Sequence, residues 1–306
     1  MKVELSIIIV NYRSWDKLKF CLKSILNQED INLEVIVVDN FSNDNKITEF
    51  KKNFRWIKWI ENKANLGFAK ACNIGSMFTS SKWLLFLNPD TLLDTNSLST
   101  LINFCNSNDE HKIIGIKQLN SKNKHTNSFG LFLNMFTING FFRIFSRFFK
   151  GHTYRKMNSN LISYPEWISG SFILLRKNDF KKLNGWNENF WMYYEDMDLC
   201  KRAQKLNLKI SLLNNWKCIH FHGESSRKNK EIAIKTKTEV IKSSHIYIST
   251  HFSGLESSII HFIMILSKLI EFLILSLFSS NKRKIFKLSL LYWSKSVLTG
   301  NWIRKN

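Results

Sequence analysis

Proline is nearly absent. Pro89 and Pro165 are the two in 306 residues, which leaves no room for a proline-rich linker. Cysteine is sparse and scattered: Cys21, Cys72, Cys105, Cys200 and Cys218 are odd in number and form no CxxC pair. A zinc ribbon and a disulfide scaffold are thereby excluded, and a reducing cytosol fits. No Walker or GxGxxG loop occurs, and no segment repeats. The N-terminus does not read as a signal peptide, because Glu4 interrupts it and Ser6–Val10 has the pattern of a strand. Acid is also scarce, with 24 Asp/Glu against 45 Lys/Arg and a net charge of +21. From Lys201 onward there are 19 basic and 5 acidic residues. A basic C-terminal third predicts an anionic partner: phospholipid, nucleic acid or a phosphorylated substrate. No helix-turn-helix, zinc knuckle or RNP-like aromatic strand accompanies the charge, so nucleic acid is not the expected partner.

What is present begins with enough apolar material for a core, 44% hydrophobic and 14% aromatic, in a chain long enough for one large domain with an appendage. The stretch that organises the rest is Trp83-Leu84-Leu85-Phe86-Leu87-Asn88-Pro89-Asp90. Five apolar residues predict a strand buried on both faces, as in a parallel sheet. Proline ends the ladder and delivers Asp90 just beyond the strand's carboxyl end, the edge where open α/β sheets bind ligands. Upstream, Leu5–Val10 and Leu33–Val38 read as buried strands, with a helix between them started by Ser14 and Asp16. That is a βαβ unit. Ser42 and Asp44 open a second helix through Phe50, Trp56–Ile60 forms a third strand, and Asn65-Leu66-Gly67-Phe68-Ala69 turns into a helix reaching Met77. The alternation predicts a parallel sheet with helices on both faces.

From Phe104 to Ser163 the pattern yields no element. The aromatic stretch Phe129–Phe149 is compatible with a hydrophobic insertion on the core and with an acceptor or lipid surface. Beyond it, Phe172–Leu175 is a strand and a helix containing Phe180 and Leu183 runs to Gly185. The run Trp186–Leu199 precedes a helix with Leu199, Ala203 and Leu206 on one face, and a last strand lies near Trp216–Phe221.

Asp39 and Asp90 both stand at carboxyl ends of predicted parallel strands, hence on one edge of the sheet. There, one carboxylate can accept hydrogen bonds from a base or ribose, and another can hold a hard divalent cation against phosphate. Glu195, Asp196 and Asp198 cluster at a helix start, where the dipole favours acids. Directly after an aromatic run, such a carboxylate has its pKa raised, which suits a general base. His220 and His222 lie two apart on a strand, so on one face, and either is a natural nitrogen ligand beside a metal carboxylate.

Taken together, the chain resembles family 2 glycosyltransferases of GT-A fold, in their bacterial rhamnosyltransferase-like branch. The matching runs are Ser6–Tyr12, Val37–Ser42, Asn65–Ala69 with Asn73-Ile74-Gly75, Leu87–Asp90, Gly170-Ser171-Phe172 and Phe190–Leu199, spanning roughly Leu5 to Ser226. The resemblance implies a Rossmann-like, mostly parallel central sheet flanked by helices, and inverting transfer from a nucleotide-diphosphate sugar to a saccharide or lipid-linked glycan acceptor. Val10 and Tyr12 would flank the nucleobase, Asp39 would hydrogen-bond it, and Asn65, Gly67 and Asn88 would line the nucleotide pocket. Asn88-Pro89-Asp90 stands where the family has Asp-X-Asp. With Asn88 in the first place, Asp90 becomes the main carboxylate ligand of Mg²⁺ or Mn²⁺. His220, which fits the family's late histidine better than His222, would complete the site. Asp196 takes the place of the general base, Glu195 would orient the acceptor, and Asp198 would be structural. The sugar implied is L-rhamnose from dTDP-rhamnose. Galactosyl, galactofuranosyl or N-acetylhexosaminyl donors on the same fold, and a non-catalytic sugar-nucleotide-binding scaffold, are the alternatives.

The expected division is a GT-A domain over 1–230 and a basic, amphipathic helical extension over 231–306. Ser257–Ser280 is apolar and long enough to raise a transmembrane helix, but Lys268 and Glu271 near its middle are costly in hydrocarbon. At 100° per residue, Ser257, His261, Lys268, Glu271 and Ser279 share a stripe of about 80°. That predicts a helix lying in the interface, or packed on its own domain, rather than a lone span. Asn281-Lys282-Arg283-Lys284, Lys287, Trp293 and Trp302 follow, and no acid occurs after Glu271. The tail predicts an anionic membrane surface as partner, with the protein cytoplasmic and peripheral on the inner face of the membrane.

Overall fold

A computed structural model describes residues 2–126, 128–132, 157, 160–221 and 230–303. The chain divides into two compact units. The first is formed by Met1–Phe132, Tyr154–Asn187 and Glu195–His222, the second by Leu133–Thr153, Glu188–Tyr194 and Gly223–Asn306.

In the first unit the described elements run, in chain order, β1 (Leu5–Asn11), α1 (Trp15–Leu26), β2 (Leu33–Asp39), α2 (Lys46–Asn53), β3 (Lys58–Glu61), α3 (Phe68–Met77), β4 (Trp83–Leu87), β5 (Thr91–Leu93), α4 (Ser97–Ser107), β6 (Ile113–Leu119), β7 (Phe129–Gly130), β8 (Ile162–Ser163), β9 (Trp167–Ile168), β10 (Phe172–Arg176), α5 (Lys177–Lys182), α6 (Glu195–Lys205) and β11 (Ile210–His220). The main sheet has the order β3-β2-β1-β4-β10-β6-β11-β5, with β8 also paired to β11. Strands β3, β2, β1 and β4 are mutually parallel. β10 is antiparallel to both β4 and β6, and β11 is parallel to β6.

The apolar runs explain this layout. All seven residues of β1 and all five of β4 are buried, as central strands covered on both faces must be. Each large apolar side chain so buried contributes roughly 1.5–3 kcal/mol, so Trp83–Leu87 alone supplies on the order of 10 kcal/mol before about 1–2 kcal/mol per residue of chain entropy is set against it. On α1, Trp15, Leu18, Cys21, Leu22 and Ile25 are buried at helical spacing. They join one core cluster with Leu5, Ile7 and Ile9 of β1 and Leu85 of β4.

Several expectations need correction. The second helix starts at Lys46 rather than at Ser42, because Phe41, Asn43 and Asn45 take positive φ and keep that stretch a loop. The third strand is Lys58–Glu61, with Trp56 outside it and exposed. The helix expected to reach Gly185 ends at Lys182. Gly185 turns the chain at φ +69, where an added Cβ would lie 2.7 Å from Asn73 Oδ1. Leu206 lies beyond α6 and is exposed. The last strand begins at Ile210, well before Trp216. The unreadable stretch from Phe104 contains a central strand, β6, preceded by α4. Most of Phe129–Phe149, and His222, lie outside the described residues.

In the second unit three described helices pack together: α7 (Lys230–His251), α8 (Gly254–Phe278) and α9 (Ser280–Thr299). Ile234 and Ile241 of α7, Phe272 of α8, and Ile285 and Trp293 of α9 form its core. On the polar stripe of α8, His261 is the buried member and the rest are half-buried. His261 Nδ1 meets His245 Nδ1 at 2.7 Å and its Nε2 meets Ser249 Oγ at 3.1 Å. Glu271 pairs with Lys268 at 2.5 Å and Lys282 at 3.5 Å. The apolar residues Leu255, Phe262, Leu273, Leu277 and Phe278 are exposed.

Candidate active site

Topology gathers the chemistry. The carboxyl ends of β1, β2, β4, β6 and β11 lie on one edge of the sheet, and the start of β10 joins them because β10 runs the opposite way.

At β2, Asp39 stands opposite Asn11 of β1. Its Oδ1 accepts from Ser42 Oγ at 2.5 Å and from Asn11 Nδ2 at 3.3 Å, while Oδ2 accepts the Ser42 N–H at 3.0 Å. Burial raises its pKa above the ordinary carboxylate value, although the Ser42 and Asn11 bonds pull the other way. Next to it, Asn40 is a hub that the sequence did not single out. Its Oδ1 accepts from Asn62 Nδ2 and Leu66 N, both at 3.0 Å, and its Nδ2 donates to Asn65 Oδ1 and Gly67 O, both at 3.1 Å. Asn65 Oδ1 also accepts the Gly67 N–H at 3.1 Å. Gly67 sits at φ +85 as it opens α3, a conformation that suits glycine. Val10 is buried, and Tyr12 is exposed with the Arg13 guanidinium over its ring.

At β4 the chain turns tightly. Asn88 O accepts Thr91 Oγ1 at 2.6 Å and Thr91 N at 3.3 Å, and Asn88 N donates to Ser171 O at 3.0 Å. β5 then pairs with β11, Thr91 opposite His220, and Asp90 O accepts the Phe221 N–H at 3.0 Å. That pairing brings the buried His220 to Asp90, Nε2 to Oδ1 at 3.3 Å. His220 Nδ1 lies 3.0 Å from Gln118 Oε1, which also accepts Ser171 Oγ–H at 2.8 Å. An amide oxygen offers no proton, so Nδ1 carries the hydrogen. Nε2 is therefore the nitrogen that faces the Asp90 carboxylate, in a place where a cation or a proton would bridge the two.

At the start of α6, Asp196 is half-buried. Its Oδ2 accepts the Gly170 N–H at 3.1 Å and its Oδ1 the Met197 N–H at 2.8 Å. Burial raises its pKa, opposed by those backbone bonds. Glu195 is more deeply buried, its Oε2 has no hydrogen-bond partner, and burial with the neighbouring Asp196 charge pushes its pKa well up. Burial thus holds both carboxyls toward the protonated form, Asp196 with two backbone donors on its oxygens and Glu195 with one oxygen unpartnered. Asp198 is fully buried against Arg202 Nε at 2.8 Å, and Arg202 Nη1 also donates to Leu183 O. The residues just before Glu195 belong to the second unit. There Tyr194 packs on Tyr247, the Lys235 ammonium lies over Trp191, and Met192 O accepts Ser243 Oγ–H.

A continuous path joins Asp90 to Asp196: Asp90, His220, Gln118, Ser171, Gly170, Asp196. From the other side, Gly170 lies near Phe68, which directly follows the Asn65–Gly67 loop, and an added Cβ at Gly170 would be 3.5 Å from Asp196 Cβ and 3.6 Å from the Phe68 ring. The sequence named the ends of this path and missed its middle. Asn40 lay in a quoted run without a role, and Gln118 carried no signal at all.

This mixed sheet, with its carboxylates gathered at one edge, defines a GT-A-type transferase. The sequence profile of glycosyl transferase family 2 matches residues 6–183, and the chain belongs to that family. A second profile, the N-terminal domain of galactosyltransferase, matches residues 151–224. Rhamnosyltransferase WbbL of Escherichia coli K12 is 26% identical over 234 residues, 72% of this chain and 84% of that protein. The N-acetylglucosaminyl-diphospho-decaprenol L-rhamnosyltransferase of Mycobacterium tuberculosis H37Rv is 21% identical, covering 82% of this chain and 85% of that one. In fold, GalNAc-T7, solved with UDP, GalNAc and Mn²⁺, superposes with a TM-score of 0.56 at 15% identity over 72% of this chain. The present chain spans less than half, 44%, of that structure.

Proposed function

We propose that the protein transfers L-rhamnose from dTDP-rhamnose to a saccharide or lipid-linked diphosphate acceptor in bacterial surface polysaccharide synthesis, inverting the anomeric centre. The observation that carries this reading is the path from Asp90 and His220 to Asp196, which couples a cation-type pair to a carboxylate base on one sheet edge. The rhamnosyltransferase names of two relatives support the sugar, and the second relative's name supports a polyprenyl-diphosphate acceptor.

In this reading Val10, Tyr12, Asp39, Asn65, Gly67 and Asn88 line the nucleotide side, with Asn40 fixing the loop that carries Asn65 and Gly67. Asp90 and His220 would hold Mg²⁺ or Mn²⁺. No cluster of three or more ligating side chains occurs among the described residues, so diphosphate oxygens and water would complete the shell. When bound, the cation supplies charge stabilisation to the departing diphosphate. Asp196 takes the proton of the acceptor hydroxyl as that oxygen attacks the anomeric carbon and the bond to the diphosphate breaks. Glu195, protonated, donates to the acceptor and orients it. One displacement inverts the centre, and no covalent sugar–enzyme species forms.

The match to a galactosyltransferase domain favours a second reading, a UDP-galactose, UDP-galactofuranose or UDP-N-acetylhexosamine donor on the same machinery. Purified full-length protein is offered each donor with a polyprenyl-diphosphate-linked N-acetylglucosamine acceptor. Acceptor-dependent release of dTDP supports rhamnosyl transfer, UDP release selects the second reading, and no release with any donor identifies a scaffold.

The 231–306 extension we read as the membrane-facing part. α8 is long and apolar enough to cross a membrane by length and composition. Leu255, Phe262, Leu273, Leu277 and Phe278 are exposed along it, Lys268 and Glu271 pair with each other, and Lys282, Arg283, Lys284 and Lys287 follow. That combination suits a helix lying on an anionic inner leaflet. Co-sedimentation with vesicles containing phosphatidylglycerol but not with pure phosphatidylcholine is expected. Equal binding to both would overturn the electrostatic part of the proposal.

A further inference from the structure

Gln118 is the next-to-last residue of β6 and is buried, 3% exposed. A carboxamide in such a place is costly unless its atoms are paired. Here its oxygen takes one hydrogen from His220 Nδ1 and one from Ser171 Oγ. Ser171 Oγ is in turn 2.9 Å from Ser169 Oγ. Between these two serines lies Gly170, whose N–H holds Asp196. A single amide oxygen thus touches both the histidine beside Asp90 and the turn that hydrogen-bonds Asp196.

We propose that Gln118 is a positioning residue: it locks His220 in the Nδ1–H form with Nε2 toward Asp90, and through Ser171 it keeps that pair in register with the turn holding Asp196. The inference rests on the reading of Asp90 and His220 as the cation-side pair. A ligating histidine whose other nitrogen donates to a fixed acceptor keeps its ring orientation and tautomer, and loss of such a partner costs on the order of 10–100-fold in metal affinity. A hydrogen-bond acceptor of the same reach is required, so glutamate should serve and leucine should not.

The test uses the full chain, with Mn²⁺ alone as the probe. Long-range ¹⁵N–¹H spectra of metal-free protein should show a hydrogen on His220 Nδ1 in the wild type and in Gln118→Glu, with or without a second one on Nε2, and a different or mixed pattern in Gln118→Leu. Mn²⁺ titration followed by electron paramagnetic resonance should show Gln118→Leu weaker by about 10–100-fold, with Gln118→Glu retaining the affinity. In a His220→Ala background, Gln118→Leu should cause no additional loss, because the glutamine acts through the histidine. An Nε2–H tautomer in the wild type overturns the proposal, as does an unchanged tautomer in Gln118→Leu or a further tenfold loss on top of His220→Ala. If wild-type protein binds no Mn²⁺, the cation-site reading falls, and the tautomer spectra still decide what Gln118 does. Should Gln118→Leu not fold, Gln118→Asn, one methylene too short to reach His220, takes its place in every arm.

Discussion

Replacing Asp196 by asparagine separates the base from its surroundings. The carboxylate accepts two backbone N–H groups, Gly170 on Oδ2 and Met197 on Oδ1. Asparagine has one oxygen and one NH₂. With its oxygen toward Met197, its NH₂ faces the Gly170 N–H, so one bond is lost and a donor is left short, at a cost of roughly 1–3 kcal/mol in stability. The proton acceptor is also removed, and general-base catalysis is worth about 10²–10⁴-fold, or roughly 3–5 kcal/mol of barrier. The two losses read out separately: a thermal melt reports the first, and acceptor-dependent release of nucleoside diphosphate, well below the melt, reports the second. Donor binding by calorimetry should be unchanged, because in the proposed mechanism Asp196 serves the acceptor hydroxyl and not the donor. A kcat within about tenfold of wild type, below the smallest contribution expected of a base, would refute the assignment, as would a variant that fails by losing the donor. Wild-type kcat should also fall as pH drops through the raised Asp196 pKa, since the working form is the carboxylate.

Three further outcomes are expected. Glu195→Gln should raise the melting temperature at pH 8 and leave it unchanged near pH 4. Burial raises the folded-state pKa of Glu195, so its ionised form costs stability above the unfolded value and nothing below it; a variant destabilised at pH 8 would contradict this. Asn40→Ala strips the Asn62–Gly67 loop of four bonds, leaving the buried Gly67 carbonyl unpaired at roughly 1–3 kcal/mol and the half-buried Asn62, Leu66 and Asn65 groups at less; calorimetry should show donor affinity weakened at least about tenfold, with kcat at saturating donor little changed. In the second unit, burial and their mutual repulsion hold His245 well below its ordinary value, and burial brings His261 down to about 4. Trp293 Nε1–H donates to His245 Nε2 at 2.9 Å, the Trp302 ring stacks on both imidazoles, and Tyr292 packs against His245, so the pair is fixed neutral. Its stabilising contribution is present above pH 6.5 and lost as pH falls toward 4. Tryptophan fluorescence should report loosening over that interval, and a His261→Gln variant should show a flatter acid profile.

Long apolar runs made much of the fold legible. Leu5–Val10, Leu33–Val38, Trp83–Leu87 and Phe172–Leu175 each proved to be central strands, because a strand buried on both faces has little choice of residue type. β6 escaped notice because Gly115, Lys117 and Gln118 break its pattern, and of these Gln118 reaches His220 and Ser171 at the site edge. β11 looked short because its register shifts between Leu213 and Lys217, where Asn214 and Asn215 interrupt the apolar signal. Chain order alone did not announce that β10 would enter between β4 and β6 and run against both.

The sequence by itself determined that Leu5–Val10, Leu33–Val38, Trp83–Leu87 and Phe172–Leu175 are core strands, that Asp39 and Asp90 finish strands on a common edge, and that an acidic helix start follows an aromatic run. These are local consequences of hydrophobic patterning and of proline and glycine chemistry, written within a few residues. The tertiary structure alone decided that His220 lies against Asp90, that Gly170 holds Asp196, and that Gln118 stands between them. Those contacts join residues many positions apart, and they depend on strand order, direction and register, which nothing within any one segment specifies.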